Sequence, residues 1–181
     1  MWAKHVGDEK LQATYQQTLQ WAKNWYWSQK ERSSFLLGKI ALLQEPAGKV
    51  RAIAIVDYWT QRAMYPVHQW MMKVLDTLPG DCTFDQNAGV QSFASLFKGK
   101  VYSIDLKSAT DLIPLDLYRA LFSAVWGQET CDLWLLLLTD RWFGVPETGV
   151  SHDVPREIRY GRGQPMGTLS SWPSMALVHH A

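Results

Sequence analysis

With 181 residues, 47% hydrophobic and 13% aromatic, the chain is apolar enough to bury one sizeable core, which excludes a disordered tail. Its 18 basic and 17 acidic residues leave a formal net charge of +1, so any nucleic-acid surface has to be a local patch. Cys82 and Cys131 stand far apart, with no CxxC and no histidine cluster nearby, a pattern that argues against zinc and against a disulfide framework and predicts buried or incidental thiols.

Apolar residues at Leu11, Tyr15, Leu19, Ala22, Trp25 and Tyr26 follow the 3.6-residue period and predict an amphipathic helix over 8–27. No signal-peptide pattern precedes it. Residues 40–44 and 50–56 are strand-like runs joined by Glu45-Pro46-Ala47-Gly48, whose proline and glycine are turn residues, so the pair reads as a hairpin. Lys49 and Arg51 open its second arm and, because strand side chains alternate, project from one side. A second helix is expected from Pro66 to Leu78, ended by Pro79-Gly80, followed by a polar loop over 82–87. Residues 100–106 predict a short strand with Asp105 near its C-terminal end. Two helices follow, over 115–126 and 130–142, the second apolar nearly all round and so expected to be buried. Its LWLLLL run, residues 133–138, is too short to span a bilayer, and no membrane span is expected. From 145 to 165 the chain is broken by proline, glycine and charge, and a glycine-rich turn then feeds a helix starting at Ser170 or Ser171 with Pro173 in its first turn.

Three features carry chemistry. Asp105 and Asp111 are hard carboxylates of the kind that hold magnesium for phosphoryl transfer, although such a pair also reads as a helix cap beside a surface charge. The run Gly161-Arg162-Gly163-Gln164-Pro165-Met166-Gly167 has methionine where a dinucleotide fingerprint needs glycine and lacks the GK[ST] of a Walker loop; it can present backbone amides to a phosphate or ribose, or be a tight turn. Lys49 and Arg51 can grip a triphosphate, or be a solvated hairpin edge. His179 and His180 point about 100° apart on a helix, so they are packing or surface residues rather than a metal pair.

The segments GKVRAIAIVDYWTQRAMYPVHQW, TFDQNAG, YSIDLKSATDLIPLDLYRALF and YGRGQPMGTLSSWPSMALVHH resemble the RNA-dependent RNA polymerases of mitoviruses, relatives of the narnaviruses and the RNA phages. The similarity runs from about Phe35 to the last residue. It implies a helix-rich α+β chain, a partial right-hand polymerase fold, with a fingers-like region over 1–100 and the first part of the palm over 101–181. Lys49 and Arg51 match motif F, which lines the triphosphate path. Asp105 matches the metal-binding catalytic acid of motif A, and Asp111 its ribose-reading acid. Gly167 and Ser171 match the glycine and hydroxyl positions of motif B, which positions template and sugar; Met175 stands where many polymerases carry a polar ribose contact. The implied cofactor is Mg²⁺, with Mn²⁺ as an alternative, and the implied partners are template and nascent RNA and nucleoside triphosphates.

No adjacent Asp pair occurs in the sequence, so the Gly-Asp-Asp of motif C, which supplies the partner acid, is absent here, as is the thumb. Three expectations compete: a stretch of a viral RNA polymerase, inactive by itself; a non-catalytic remnant of a captured viral polymerase in a host or organelle genome; and an RNA-binding module without chemistry. The resemblance implies a mitochondrial setting, although no Arg- and Ser-rich presequence pattern precedes the first helix.

Overall fold

The computed structural model describes residues 9–10, 13, 16–17, 20, 36–147 and 156–181. Before residue 36, Glu9, Lys10, Ala13, Gln16, Gln17 and Gln20 are helical and exposed, as expected for part of a helix over 8–27; the apolar positions of that helix lie outside the described residues.

Strands β1 (Gly38–Glu45) and β2 (Lys49–Val56) form the expected hairpin, joined by a single 3₁₀ turn, Pro46–Gly48. Their antiparallel register runs from Gly38 opposite Val56 to Glu45 opposite Lys49. Two very short strands extend the sheet: β3 (Phe143–Gly144) pairs parallel to β1, and β4 (Glu157–Ile158) pairs antiparallel to β3. The order is therefore β2-β1-β3-β4. Ala54, Val56 and Phe143 form a small core on this sheet, with Ile40, Ile158 and Tyr160 packed against it. Strand β3 lies just before the stretch read as irregular and β4 inside it; with two residues each they carry no period to detect.

Helix α1 (Tyr58–Thr77) starts well before the expected Pro66 and passes through that proline. Asp57 explains the early start. Its Oδ1 accepts from the amides of Trp59 (2.9 Å) and Thr60 (3.0 Å), and its Oδ2 from the Thr60 hydroxyl (2.6 Å) and Arg141 Nη1 (2.8 Å). Such a cap satisfies two amides that otherwise have no partner. Helix α2 (Gln86–Leu96) begins inside the expected polar loop, capped by Asp85, whose Oδ1 accepts from the Ala88 amide at 2.8 Å. It buries none of its residues, although Val90, Phe93 and Phe97 recur at helical spacing.

The strand expected over 100–106 does not form; residues 101–106 are exposed and carry no ladder. A strand exists only where a neighbour takes its amides and carbonyls, and no described segment pairs with this one. Helix α3 (Ala109–Leu112) is one short turn following Ser108, which adopts a left-handed conformation at φ 51°. Helix α4 (Leu115–Trp126) has the expected bounds. Helix α5 (Gln128–Thr139) follows a single residue later and is not buried all round: Cys131, Trp134, Leu135 and Leu138 face the interior, whereas Leu136 is 52% exposed. Helix α6 (Ser171–His180) starts where expected.

The main core joins α1, α4, α5 and α6 through Met64, Met71, Leu75, Tyr118, Phe122, Trp134, Leu138 and Leu177. Phe122 stacks on Trp126 at 4.7 Å between centroids and meets Trp134 edge-on at 5.2 Å, geometries aromatic quadrupoles favour. Cys131 is buried here and Cys82 half-buried, both as free thiols. Among the described residues no helix is long and apolar enough to cross a membrane.

Candidate functional site

The glycine-rich run between Tyr160 and α6 is anchored by backbone and side-chain contacts from several elements. Gly163, at φ +66°, packs on the carbonyls of Thr110 and Asp111, and a Cβ there would overlap both. The Gln164 amide, next in the chain, donates to the Thr110 carbonyl at 2.8 Å. Four residues on, Gly167 lies against the Ala54 carbonyl of β2, and again a Cβ would collide with it. Only glycine permits both approaches. The loop thus touches the backbone at Asp111 on one side and the second arm of the basic hairpin on the other.

Side chains from α1 hold the loop's far end. Gln61 spans it with both ends of its amide, Nε2 donating to the Gly167 carbonyl at 2.7 Å and Oε1 accepting from the Leu169 amide at 2.8 Å. Ser170 takes a left-handed φ of 71°, costly for a residue with a Cβ. Its amide donates to His68 Nδ1 at 3.2 Å, and its hydroxyl accepts from Trp134 Nε1 at 2.9 Å. Burial pushes the His68 pKa down, which favours the unprotonated Nδ1 this contact requires. Gln164 is fully buried, and its Nε2 donates to the Ser171 carbonyl (3.1 Å) and the Ser174 hydroxyl (2.8 Å).

Among the residues singled out from sequence, the outcomes differ. Lys49 and Arg51 are both exposed at the start of β2. Arg51 Nε pairs with Glu45 Oε1 at 2.8 Å, a half-exposed contact of the kind that contributes about 0–1 kcal/mol and yields readily to a stronger anion. Asp111 is half-buried in the first turn of α3, where its Oδ1 accepts from the Tyr160 hydroxyl at 2.9 Å. It does not cap the following helix, whose N-cap is Pro114. Burial and the Asp111 charge raise the Tyr160 pKa well above its ordinary value, so the phenol stays a neutral donor. Gly167 sits against β2, as described. Ser171 is fully buried, and its hydroxyl has no hydrogen-bond partner among the described residues.

Asp105 stands apart from these groups. It lies in the exposed segment before Ser108 and makes no hydrogen bond or ion pair with a described residue. No group of three His, Cys, Asp or Glu side chains among the described residues is placed to hold a metal ion. A single free carboxylate is still suited to magnesium, which binds through one or two carboxylates together with the phosphates of a substrate. His180 contacts Asp81 Oδ2 at 2.8 Å, while His179 is exposed, in keeping with packing and surface roles.

Sequence reading missed Gln61, His68, Tyr160 and Gln164. Their partners lie 49 to 108 residues away for Tyr160, His68 and Gln61, beyond the reach of any local pattern. Only Gln164 carried a signal, as the amide inside the glycine run.

Comparison with known proteins gives this arrangement its context. The chain matches the family described as mitovirus RNA-dependent RNA polymerase over residues 1–181. It is 32% identical over 152 residues to the RNA-directed RNA polymerase of Cryphonectria parasitica mitovirus 1 (strain American chestnut tree/New Jersey/NB631), covering 80% of this chain and 17% of that protein. An uncharacterized mitochondrial protein of Arabidopsis thaliana is 33% identical over 112 residues, covering 61% of this chain and 43% of that protein. The chain thus spans less than half the length of either relative. A match running from the first residue to the last, together with the motif order of basic hairpin, paired acids and glycine-rich loop, makes this chain a member of the mitovirus RNA-dependent RNA polymerase family.

Proposed function

We propose that the chain is the fingers and early palm of an enzyme that builds RNA on an RNA template, with residues 1–100 fingers-like and 101–181 the first part of a right-hand palm. One observation carries this reading: the glycine-rich loop packs on the Asp111 backbone and on β2, which supports a single nucleotide site assembled from three distant segments.

In this site Lys49 and Arg51 neutralise the triphosphate, Arg51 exchanging its weak Glu45 contact for phosphate oxygens. Asp111 accepts from the ribose hydroxyls. Gly167 and Ser171 shape the sugar and template side from within, Gly167 by close backbone approach and Ser171 from its buried position on α6. Asp105 would hold Mg²⁺, or Mn²⁺, jointly with the nucleotide phosphates. When bound, the ion supplies charge neutralisation at the reacting phosphate. The partners are template RNA, nascent RNA and nucleoside triphosphates, and a mitochondrial setting is supported by the plant relative's name.

The test uses the 181-residue chain. It is expected to bind RNA with affinity that falls steeply as salt rises, and Lys49→Ala and Arg51→Ala each to weaken Mg·ATP binding severalfold. Unchanged ATP affinity in both variants would remove the triphosphate role. With a single metal-grade acid the chain is expected to show no templated incorporation; synthesis that disappears in Asp105→Asn would overturn that statement.

The Arabidopsis relative favours a second reading, a non-catalytic remnant of a captured viral polymerase. An in-frame Gly-Asp-Asp within a few dozen codons downstream in the encoding nucleic acid supports the enzyme, and a stop codon there supports the remnant.

A further inference from the structure

Asp111 has one oxygen engaged and one open. Oδ1 accepts from the Tyr160 hydroxyl at 2.9 Å, whereas Oδ2 has no hydrogen-bond partner among the described residues. The Tyr160 ring is held in turn by Phe143, edge-on at 5.7 Å between centroids, in the small sheet core. The phenol is thus a fixed donor mounted on the sheet, and the acid it grips belongs to α3. From the other side, Gly163 and the Gln164 amide pack on the Thr110 and Asp111 carbonyls. Backbone and side chain of Asp111 are therefore anchored independently.

A carboxylate that is free to rotate offers either oxygen to water or ligand with equal ease. One whose Oδ1 is taken presents a single acceptor in one direction. An ionised carboxylate only accepts, so its open oxygen selects ligand groups that donate, such as a sugar hydroxyl. From this we infer that Tyr160 is a positioning residue for nucleotide discrimination: by holding Oδ1 of Asp111 it aims Oδ2 at a ribose hydroxyl, and so favours ribonucleotides over 2′-deoxyribonucleotides. The inference rests on the reading of Asp111 as the ribose contact. Burial and the Asp111 charge keep the phenol protonated, so its donor role persists across the neutral pH range.

The test is binding of Mg·ATP and Mg·2′-deoxyATP to the 181-residue chain, followed by intrinsic tryptophan fluorescence, in wild type, Tyr160→Phe and Asp111→Asn. Thermal melts of each show that it is folded. Wild type is expected to prefer ATP by about tenfold, the scale of one hydrogen bond to a charged group. Tyr160→Phe, which keeps the ring and its Phe143 contact, is expected to reduce that preference to less than about threefold, mainly by weakening ATP. Asp111→Asn is expected to lose it as well.

If Tyr160→Phe weakens both nucleotides equally, or retains the wild-type ratio while Asp111→Asn loses it, the positioning role is wrong and the ribose reading of Asp111 stands. If wild type binds the two nucleotides alike, or Asp111→Asn keeps the wild-type ratio, the ribose reading itself fails and this inference goes with it.

Discussion

Two stretches of this chain invert the usual relation between polarity and burial. In loop 160–171, Gln164, Thr168, Ser170 and Ser171 are buried. In stretch 84–106, Phe84, Val90, Phe93, Leu96, Tyr102 and Ile104 are all at least half exposed. Helices α1, α5 and α6 enclose the loop and supply part of its hydrogen bonding, Gln61 and His68 from α1 to its backbone, Trp134 from α5 to the Ser170 hydroxyl and Ser174 from α6 to Gln164 Nε2. Gln164 Oε1 and the Thr168 and Ser171 hydroxyls are buried with no partner among the described residues. The second stretch buries little because no described element lies over it. Polarity alone therefore does not decide burial in this protein; the supply of neighbours does. Apolar surface of this extent is typical of regions that make contacts with other chains or ligands.

The anchoring of the loop depends most directly on Gly163. Gly163→Ala combines a left-handed backbone with a Cβ driven into the Thr110 and Asp111 carbonyls. The expected loss is about 2–5 kcal/mol, summing strain and overpacking, read as a lowered urea midpoint. An unchanged midpoint would show that the loop is free to move away from α3, and the anchored picture of Asp111 would fall.

A smaller effect is expected at Asp57, which ties α1 to the segment after α5. Asp57→Ala removes the α1 cap and leaves the Arg141 guanidinium, 12% exposed, without its carboxylate. The expected cost is about 2–4 kcal/mol. Burial alone would raise the Asp57 pKa, but the Thr60 hydroxyl and amide and the Arg141 charge outweigh it, so the folded value lies below the ordinary one. The contribution of this group is therefore present above about pH 4 and lost as pH falls through the folded value. Asp57→Asn is expected to flatten that part of the acid-side stability profile. An acid limb identical to wild type would mean that the Arg141 contact does not hold in solution.

The smallest effect is expected in the exposed stretch. Val90→Ser, at a position 67% exposed on α2, should change stability by no more than about 0.5 kcal/mol. A loss above 1.5 kcal/mol would show that the α2 surface is packed against something in solution.

The hairpin, α4 and α6 were legible because their signals are local. Pro46 and Gly48 close a turn between two β-rich runs, Leu115 to Trp126 carry a clear helical period, and Pro173 suits a first helical turn. Helix α2 was missed although the Asp85 cap and the helical spacing of Val90, Phe93 and Phe97 were local cues; its start lies among the polar residues 82–87, which read as a loop. The expected strand over 100–106 failed because its alternation is present without a partner to pair with. Among the site residues, Lys49, Arg51, Asp105, Asp111, Gly167 and Ser171 could be picked out by type and order. Their surroundings could not. That Arg51 is engaged by Glu45, that Ser171 is buried, and that Asp111 is held by a tyrosine 49 positions away all follow from how the elements pack.

What the sequence by itself determined, then, is the kind of chain this is: one apolar, charge-balanced α+β chain with a basic hairpin, two acids and a glycine-rich loop in an order that assigns its family. Turn chemistry and helical period act within a few residues, and motif order is a property of the linear chain, so residue types and their order specify them. The tertiary structure decided which oxygen of Asp111 stays open, which hydroxyls are hidden and where the glycines let backbone meet backbone. Those outcomes depend on contacts between segments brought together only by folding of the core, and a hydrogen bond a few tenths of an ångström longer or a missing neighbour would change them without altering a single local signal.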